Sequence, residues 1–299
     1  MSLFTWLVVK GLPLVPKPIV GRVAKRYVSG ETLESALAAI AELNREGAMA
    51  TMDLLGEEVQ QRDKAIRNVE EYERMLEAIA ARGADSNISI KLSALGQKID
   101  DGFCRDNVER ILGTARRLGN FVRIDMEDAA TTDQTLRLYH DFHPRFGNFG
   151  IVLQAYMRRT LTDVSQLPAV GANVRLCKGI YIEKRTIAFK GHETVRLNFL
   201  QALEKLLTRG VYVGIATHDE HLVCGALGVL DRLKVPRERY EFQMLLGVDA
   251  ERRRILVGQG HRLRVYVPYG VDWYPYSTRR LRENPEVAKH VIRAFLGGR

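Results

Sequence analysis

A chain of 299 residues, 46% hydrophobic and 27% charged, carries enough apolar material for a sizeable core and has the composition of an ordinary soluble globular protein. Its net charge of +9 points to anionic ligands or surfaces, but Lys and Arg are mixed with Asp and Glu along predicted helices, which argues against nucleic acid. Cys104, Cys177 and Cys224 are far apart and form no CxxC, a pattern that suits a reducing compartment and gives no metal-site signal.

The opening stretch FTWLVVKGLPLVPKPIV is apolar but cut by Lys10, Pro13, Pro16, Lys17 and Pro18. It is too broken to span a bilayer and lacks the basic start and cleavage site of a signal peptide. Two readings stay open for it: an arm packed on the domain, or a surface that touches membrane. A helical pattern over residues 31–47 comes next, expected to plug the bottom of the domain or pack on its side. Residues 1–46 thus read as arm and helix, and 47–299 as the main domain.

From residue 48 one unit recurs: a short apolar strand, a polar residue at its end, then a helical pattern. The predicted strands are 48–56, 87–96, 121–128, 150–156, 173–181, 211–219, 240–247 and 263–270. Helices are predicted over 57–82, from an Asp106 N-cap to near Gly119, and over 131–142, 184–208, 220–234 and 249–258. The loop after the fourth strand has room for a short helix only, and a final helix is expected from Tyr276 to Phe295. Strands that are apolar throughout and alternate with helices indicate a parallel sheet, and eight such units favour a closed (βα)8 TIM-like barrel. No GxGxxG or GxxxxGK[ST] is present, so a Rossmann or P-loop site is not expected.

In such a barrel the chemistry sits at the C-terminal strand ends. The polar residues there are Asp53, Lys91, Asp125 with Glu127, Gln154, Arg175 with Lys178, Thr217 with His218, Gln243, and Tyr266. Charged and amide groups inside apolar strands are costly unless paired or used. Any one could be a core salt bridge; one at every strand end marks a functional mouth, rich in cations and suited to anionic ligands. Arg279 and Arg280 follow the aromatic run YVPYGVDWYPYST. They read either as a solvated pair or, at a helix start facing the mouth, as a grip on a carboxylate. THDEH (217–221) comes from a strand end and no HExxH exists, so no metal is expected; His192, His221 and His261 read as surface residues.

The motifs ISIKLSALG, VRIDMED, IVLQAYMRR, VRLCKGIY, IATHDEH, YEFQMLLGV and YVPYGVDWYPYSTRRLREN, in this order, resemble the proline dehydrogenase family in its compact monofunctional bacterial form. The resemblance covers residues 48–287 and excludes the N-terminal arm. It implies a distorted barrel with the final helix over the mouth and non-covalent FAD. It also implies oxidation of L-proline to Δ1-pyrroline-5-carboxylate, the first step of proline catabolism to glutamate. A hydride would pass from the ring carbon to flavin N5, and electrons onward to a quinone. A cytoplasmic enzyme follows, open to peripheral contact with the inner membrane face and to channelling with a pyrroline-5-carboxylate dehydrogenase.

Residue by residue, the resemblance implies that Arg279, Arg280 and Lys91 hold the substrate carboxylate. Tyr266, Tyr276 and Leu245 would wall the proline ring, Asp125 would orient the cluster, and Glu57 would pair with Arg279 as a gate. Gln154 and Arg175 would bond the flavin ring. Lys178, Gly179, Tyr181, Thr217, His218, Gln243 and Glu283 would contact the rest of the cofactor. Two departures from the family, Ile180 where GAY is usual and Leu246 where HG is common, are expected to reshape the flavin pocket. Competing readings are a Schiff-base aldolase using Lys91 or Lys178, and an anion- or RNA-binding barrel.

Overall fold

A computed structural model describes residues 21, 26–168, 170–274 and 276–277; Arg279, Arg280, Glu283 and most of the expected arm and final helix lie outside them. The described residues form a closed, all-parallel barrel of eight strands in sequential order. These are β1 Met49–Leu54, β2 Ser86–Ile90, β3 Val122–Ile124, β4 Phe149–Gln154, β5 Asn173–Cys177, β6 Tyr212–Ala216, β7 Tyr240–Leu245 and β8 Leu263–Tyr269. β1 closes on β8, with Thr51 opposite Tyr266 and Asp53 opposite Pro268. Every strand is largely buried, as the unbroken apolar runs demand of a sheet covered on its outer face and packed within.

The outer ring comprises α1 Leu33–Arg45, α2 Arg62–Arg82, α3 Asp101–Arg117, α4 Thr132–Phe142, α5 Thr160–Gln166, α6 His192–Thr208, α7 Glu220–Arg232 and α8 Ala250–Gly258. In α2 the apolar stripe Ala65, Val69, Tyr72, Met75, Leu76 and Ile79 is wholly buried, as its helical spacing predicts. The helix ends on Gly83, whose left-handed φ of 59° suits a residue without a Cβ. α1 packs on β1 and β8 and buries Ala36, Leu37, Ile40 and Leu43 in the same core as the barrel. It stands on the side of the barrel, over the seam between β8 and β1.

Three sequence expectations are corrected. α3 is capped by Asp100, whose carboxylate accepts from the Phe103 N–H at 2.6 Å, and Asp106 lies inside the helix. α6 starts at His192, because the preceding residues fold back on the β4 loop instead. There Arg158 N–H donates to the Ile187 carbonyl at 3.0 Å and Phe189 N–H to the Tyr156 carbonyl at 2.8 Å. α2 starts at Arg62, which leaves Glu57 on an exposed loop.

Candidate active site

The strands end early, and this sets the site. Lys91 follows β2 and caps a single 3-10 turn, Leu92–Leu95, while β3 stops at Ile124 and delivers Asp125, Met126 and Glu127 to the mouth. A cavity of 690 Å³ opens there, within the range of cofactor and substrate pockets.

One wall is a charged network. Lys91 Nζ lies 2.5 Å from Asp53 Oδ1, 3.3 Å from the Tyr266 hydroxyl and 3.9 Å from Asp125 Oδ2. Tyr266 donates its hydroxyl to Asp125 Oδ2 at 2.9 Å, and Arg175 Nη1 donates to Asp125 Oδ1 at 2.6 Å. The Arg175 guanidinium lies 5.3 Å from the Tyr266 ring centroid, within cation–π range. Burial alone would strip Lys91 of its proton, but Asp53 and Asp125 outweigh it and raise its pKa, so the ammonium persists. Burial pushes the Asp53 carboxyl upward against the pull of Lys91, and its Oδ2 is buried without a partner. Tyr266 is pushed well above the usual phenol range, by burial first and then by the nearby carboxylates, so it remains a donor.

A second wall is polar and half-open. Gln154 donates its amide to the Glu127 carbonyl at 2.9 Å, which leaves its acceptor oxygen for a ligand. Lys178 pairs with Asp219 at 3.2 Å, and Arg196 clamps the same carboxylate at 2.9 and 2.8 Å. Burial opposes ionisation of Asp219, but Arg196 and Lys178 prevail and hold it well below the usual carboxylate range. His218 accepts from the Leu245 N–H at 2.9 Å through Nε2, which fixes its tautomer with the proton on the other nitrogen whenever it is neutral. Thr217 accepts from the Asp219 N–H at 3.1 Å. Gly179, at φ +102°, faces Tyr156 so closely that an added Cβ would lie 2.2 Å from the ring. Its bare backbone therefore keeps this edge of the cavity open. Tyr181 lines the same edge.

Tyr276 and Leu245 complete the lining, and Tyr276 packs with Tyr27, Val28 and Leu55. Glu57 is exposed, and its expected partner Arg279 is outside the described residues. Glu57 still reaches the site electrically: burial raises the Glu127 carboxyl, two bonds from Ser93 oppose this, and Glu57 adds to the rise. Ile180 borders the cavity, whereas Leu246 packs against the barrel core. His261 is a half-buried loop residue rather than a freely exposed one. Its ring meets Phe242 edge-on and bonds the Tyr240 hydroxyl at 2.9 Å, and burial lowers its pKa. His192 is exposed yet borders the cavity.

Sequence reading missed Tyr27, Arg196 and Asp219 as neighbours of the cavity. Asp219 sits in THDEH and is legible as the cap of α7, but Arg196, in the second turn of α6 between Val195 and Leu197, carries no local signal. No group of three or more His, Cys, Asp or Glu among the described residues is arranged to hold a metal.

A family model described as proline dehydrogenase matches residues 36–293. Proline dehydrogenase 1 of Bacillus subtilis subsp. natto is 36% identical over 273 residues, covering 91% of this chain and 90% of its own length. A proline dehydrogenase of Deinococcus radiodurans is 35% identical over 280 residues, covering 92% and 90%. The crystal structure of proline utilization A (PutA) from Bdellovibrio bacteriovorus, inactivated by N-propargylglycine, superposes with a TM-score of 0.82 at 26% identity over 88% of this chain. This chain spans 32% of that longer protein. The barrel, its charged mouth and this matched length have one conclusion: the chain belongs to the proline dehydrogenase family.

Proposed function

We propose that this chain oxidises L-proline to Δ1-pyrroline-5-carboxylate with non-covalent FAD as its cofactor and a quinone as electron acceptor. The observation that carries the reading is the network Asp53–Lys91–Tyr266–Asp125–Arg175, closed on itself at one wall of the cavity. It sets a protonated amine and a fixed guanidinium beside an aromatic ring, which suits a small amino acid lying against a flat cofactor.

The residues fit a flavin. Gln154 offers a free acceptor, Arg175 a rigid cation, and Lys178 with Arg196 a net positive edge for phosphates, while Gly179 supplies open backbone. Thr217, His218, Tyr181 and Gln243 line the remainder, and Glu283 would reach a ribose. When bound, the flavin supplies the electron sink that no side chain provides.

The protein's part is binding, orientation and charge. Lys91, joined by Arg279 and Arg280, clasps the carboxylate. Tyr266, Tyr276 and Leu245 bound the space left for the ring. Asp125 bonds Tyr266 and Arg175 at once, so it locks the ring wall to the cation. Positive charge around the amine favours its neutral form, whose lone pair oxidation requires. The Schiff-base alternative is disfavoured at Lys91, which is held charged between two carboxylates, whereas a nucleophilic amine must be neutral.

No helix among the described residues is long and apolar enough to cross a membrane. Quinone reduction would then occur at a peripheral contact with the inner face of the cytoplasmic membrane, and a pyrroline-5-carboxylate dehydrogenase would take the product onward. The test is turnover of L-proline and hydroxyproline by the purified holoenzyme. Tyr266 leaves little room for a ring hydroxyl, so kcat/KM for proline is expected to be about 10- to 100-fold higher. Equal values would remove Tyr266 from the ring wall, and no turnover of either would overturn the function.

A further inference from the structure

We propose that Glu241, buried below the site and touching no part of the cavity, is a positioning residue that fixes the Arg175 guanidinium through Gln243. The inference rests on the reading of Arg175 as a cofactor-facing group.

The chain of bonds has a direction. Arg175 Nε, which can only donate, meets Gln243 Oε1 at 2.5 Å. Gln243 Nε2 donates to Glu241 Oε1 at 2.6 Å. Glu241 also accepts from Arg264 at 2.8 and 3.1 Å and from the Tyr212 hydroxyl at 2.9 Å. A carboxamide can turn over and exchange its oxygen for its nitrogen at almost no steric cost. An ionised carboxylate accepts only, so Glu241 admits one orientation of Gln243, the one that shows its oxygen to Arg175. The reverse orientation would set two donors against each other and release Nε.

The surroundings are shaped for this relay. Glu241 is 2% exposed and Gln243 6%. Gly214, opposite Glu241 on β6, has no side chain; a Cβ there would lie 2.5 Å from Gln243 Nε2. The slot for the amide thus exists because β6 carries glycine at that register. Burial alone would raise the Glu241 carboxyl, but Arg264 and the bonds from Gln243 and Tyr212 outweigh it and hold it at about 2, so it is ionised across the working range.

A structural role for Glu241, neutralising Arg264, makes a different prediction, and a charge-removing double variant with a Tyr212 control separates them. Glu241→Gln leaves Arg264 buried without its counter-charge and is expected to lose both stability and rate. Glu241→Leu with Arg264→Met removes both charges together, a replacement that commonly preserves or improves folding. With this pair restored in thermal stability, the relay account expects kcat/KM for proline to stay about 10- to 100-fold below wild type. It also expects a lower potential for the bound flavin, and a crystal structure in which Gln243 has turned or Arg175 Nε has left it. Tyr212→Phe removes one bond to Glu241 but leaves Arg264 and the Glu241–Gln243–Arg175 bonds in place, so it should keep wild-type rate and potential. If the stable double variant matches wild type in rate, potential and Arg175 geometry, the proposal is overturned. Failure of wild-type holoenzyme itself to oxidise proline would instead sink the functional reading above.

Discussion

Replacing Lys91 with Met is expected to damage both the fold and substrate binding. Asp53 is fully buried, its Oδ2 has no partner, and Lys91 is its counter-ion at 2.5 Å. Removing one member of a buried pair strands the other, which costs about 3–5 kcal/mol. The loss should depend on pH in a defined sense. Without Lys91 the Asp53 carboxyl is raised further above its unfolded value, so the native state binds the extra proton. Stability then falls as pH rises through the interval between the unfolded and folded values. The deficit against wild type should therefore be largest near neutrality and shrink as pH approaches 4, which thermal melts at several pH values would show. Loss of the ammonium should also raise the proline KM by about 30- to 1,000-fold, the usual range for unpairing a buried carboxylate. A variant with wild-type melting and KM would remove Lys91 from both roles.

Arg280→Met should act on the substrate alone. The proposed anchor binds the proline carboxylate, and the flavin contacts assigned above come from other residues. The expected result is a KM for proline raised by about 100- to 1,000-fold with flavin absorbance per protein unchanged. Arg280 lies beyond the described residues, but Tyr276, four positions earlier, already lines the cavity. A near-normal KM would transfer the anchoring role to other cations; loss of flavin instead would place Arg280 against the cofactor.

The barrel was legible because its signal is local. Each strand is an unbroken apolar run, and each ends on a polar residue that would be costly to bury unused. Lys91, Asp125, Gln154, Arg175, Thr217, Gln243 and Tyr266 stand out for that reason, and all border one cavity. What was not legible depends on closure. Arg175 meets Gln243 across 68 residues and Tyr266 meets Asp125 across 141, distances at which a pattern of 2 or 3.6 residues says nothing. Glu241 and Arg264 are the second residues of their strands, where a charged residue looks like a solvent-facing end; the pairing of β7 with β8 instead brings them together in the buried interior. The start of α3 was misplaced because Asp106 is an N-cap residue type, whereas the bond from the Phe103 N–H to Asp100 sets the start six residues earlier. The place of α1 followed the same logic: its apolar stripe showed a buried face, but only the ring's geometry makes the β8–β1 groove its partner.

The central claim is that the mouth of this barrel presents proline to a bound flavin. The most direct measurement is anaerobic addition of L-proline to the purified, flavin-loaded protein while visible absorbance is followed. The account predicts bleaching of the flavin band at a stoichiometry of about one proline per flavin, with a cyclic imine released. Persistent yellow colour in excess proline, in protein shown to hold its flavin, would contradict it.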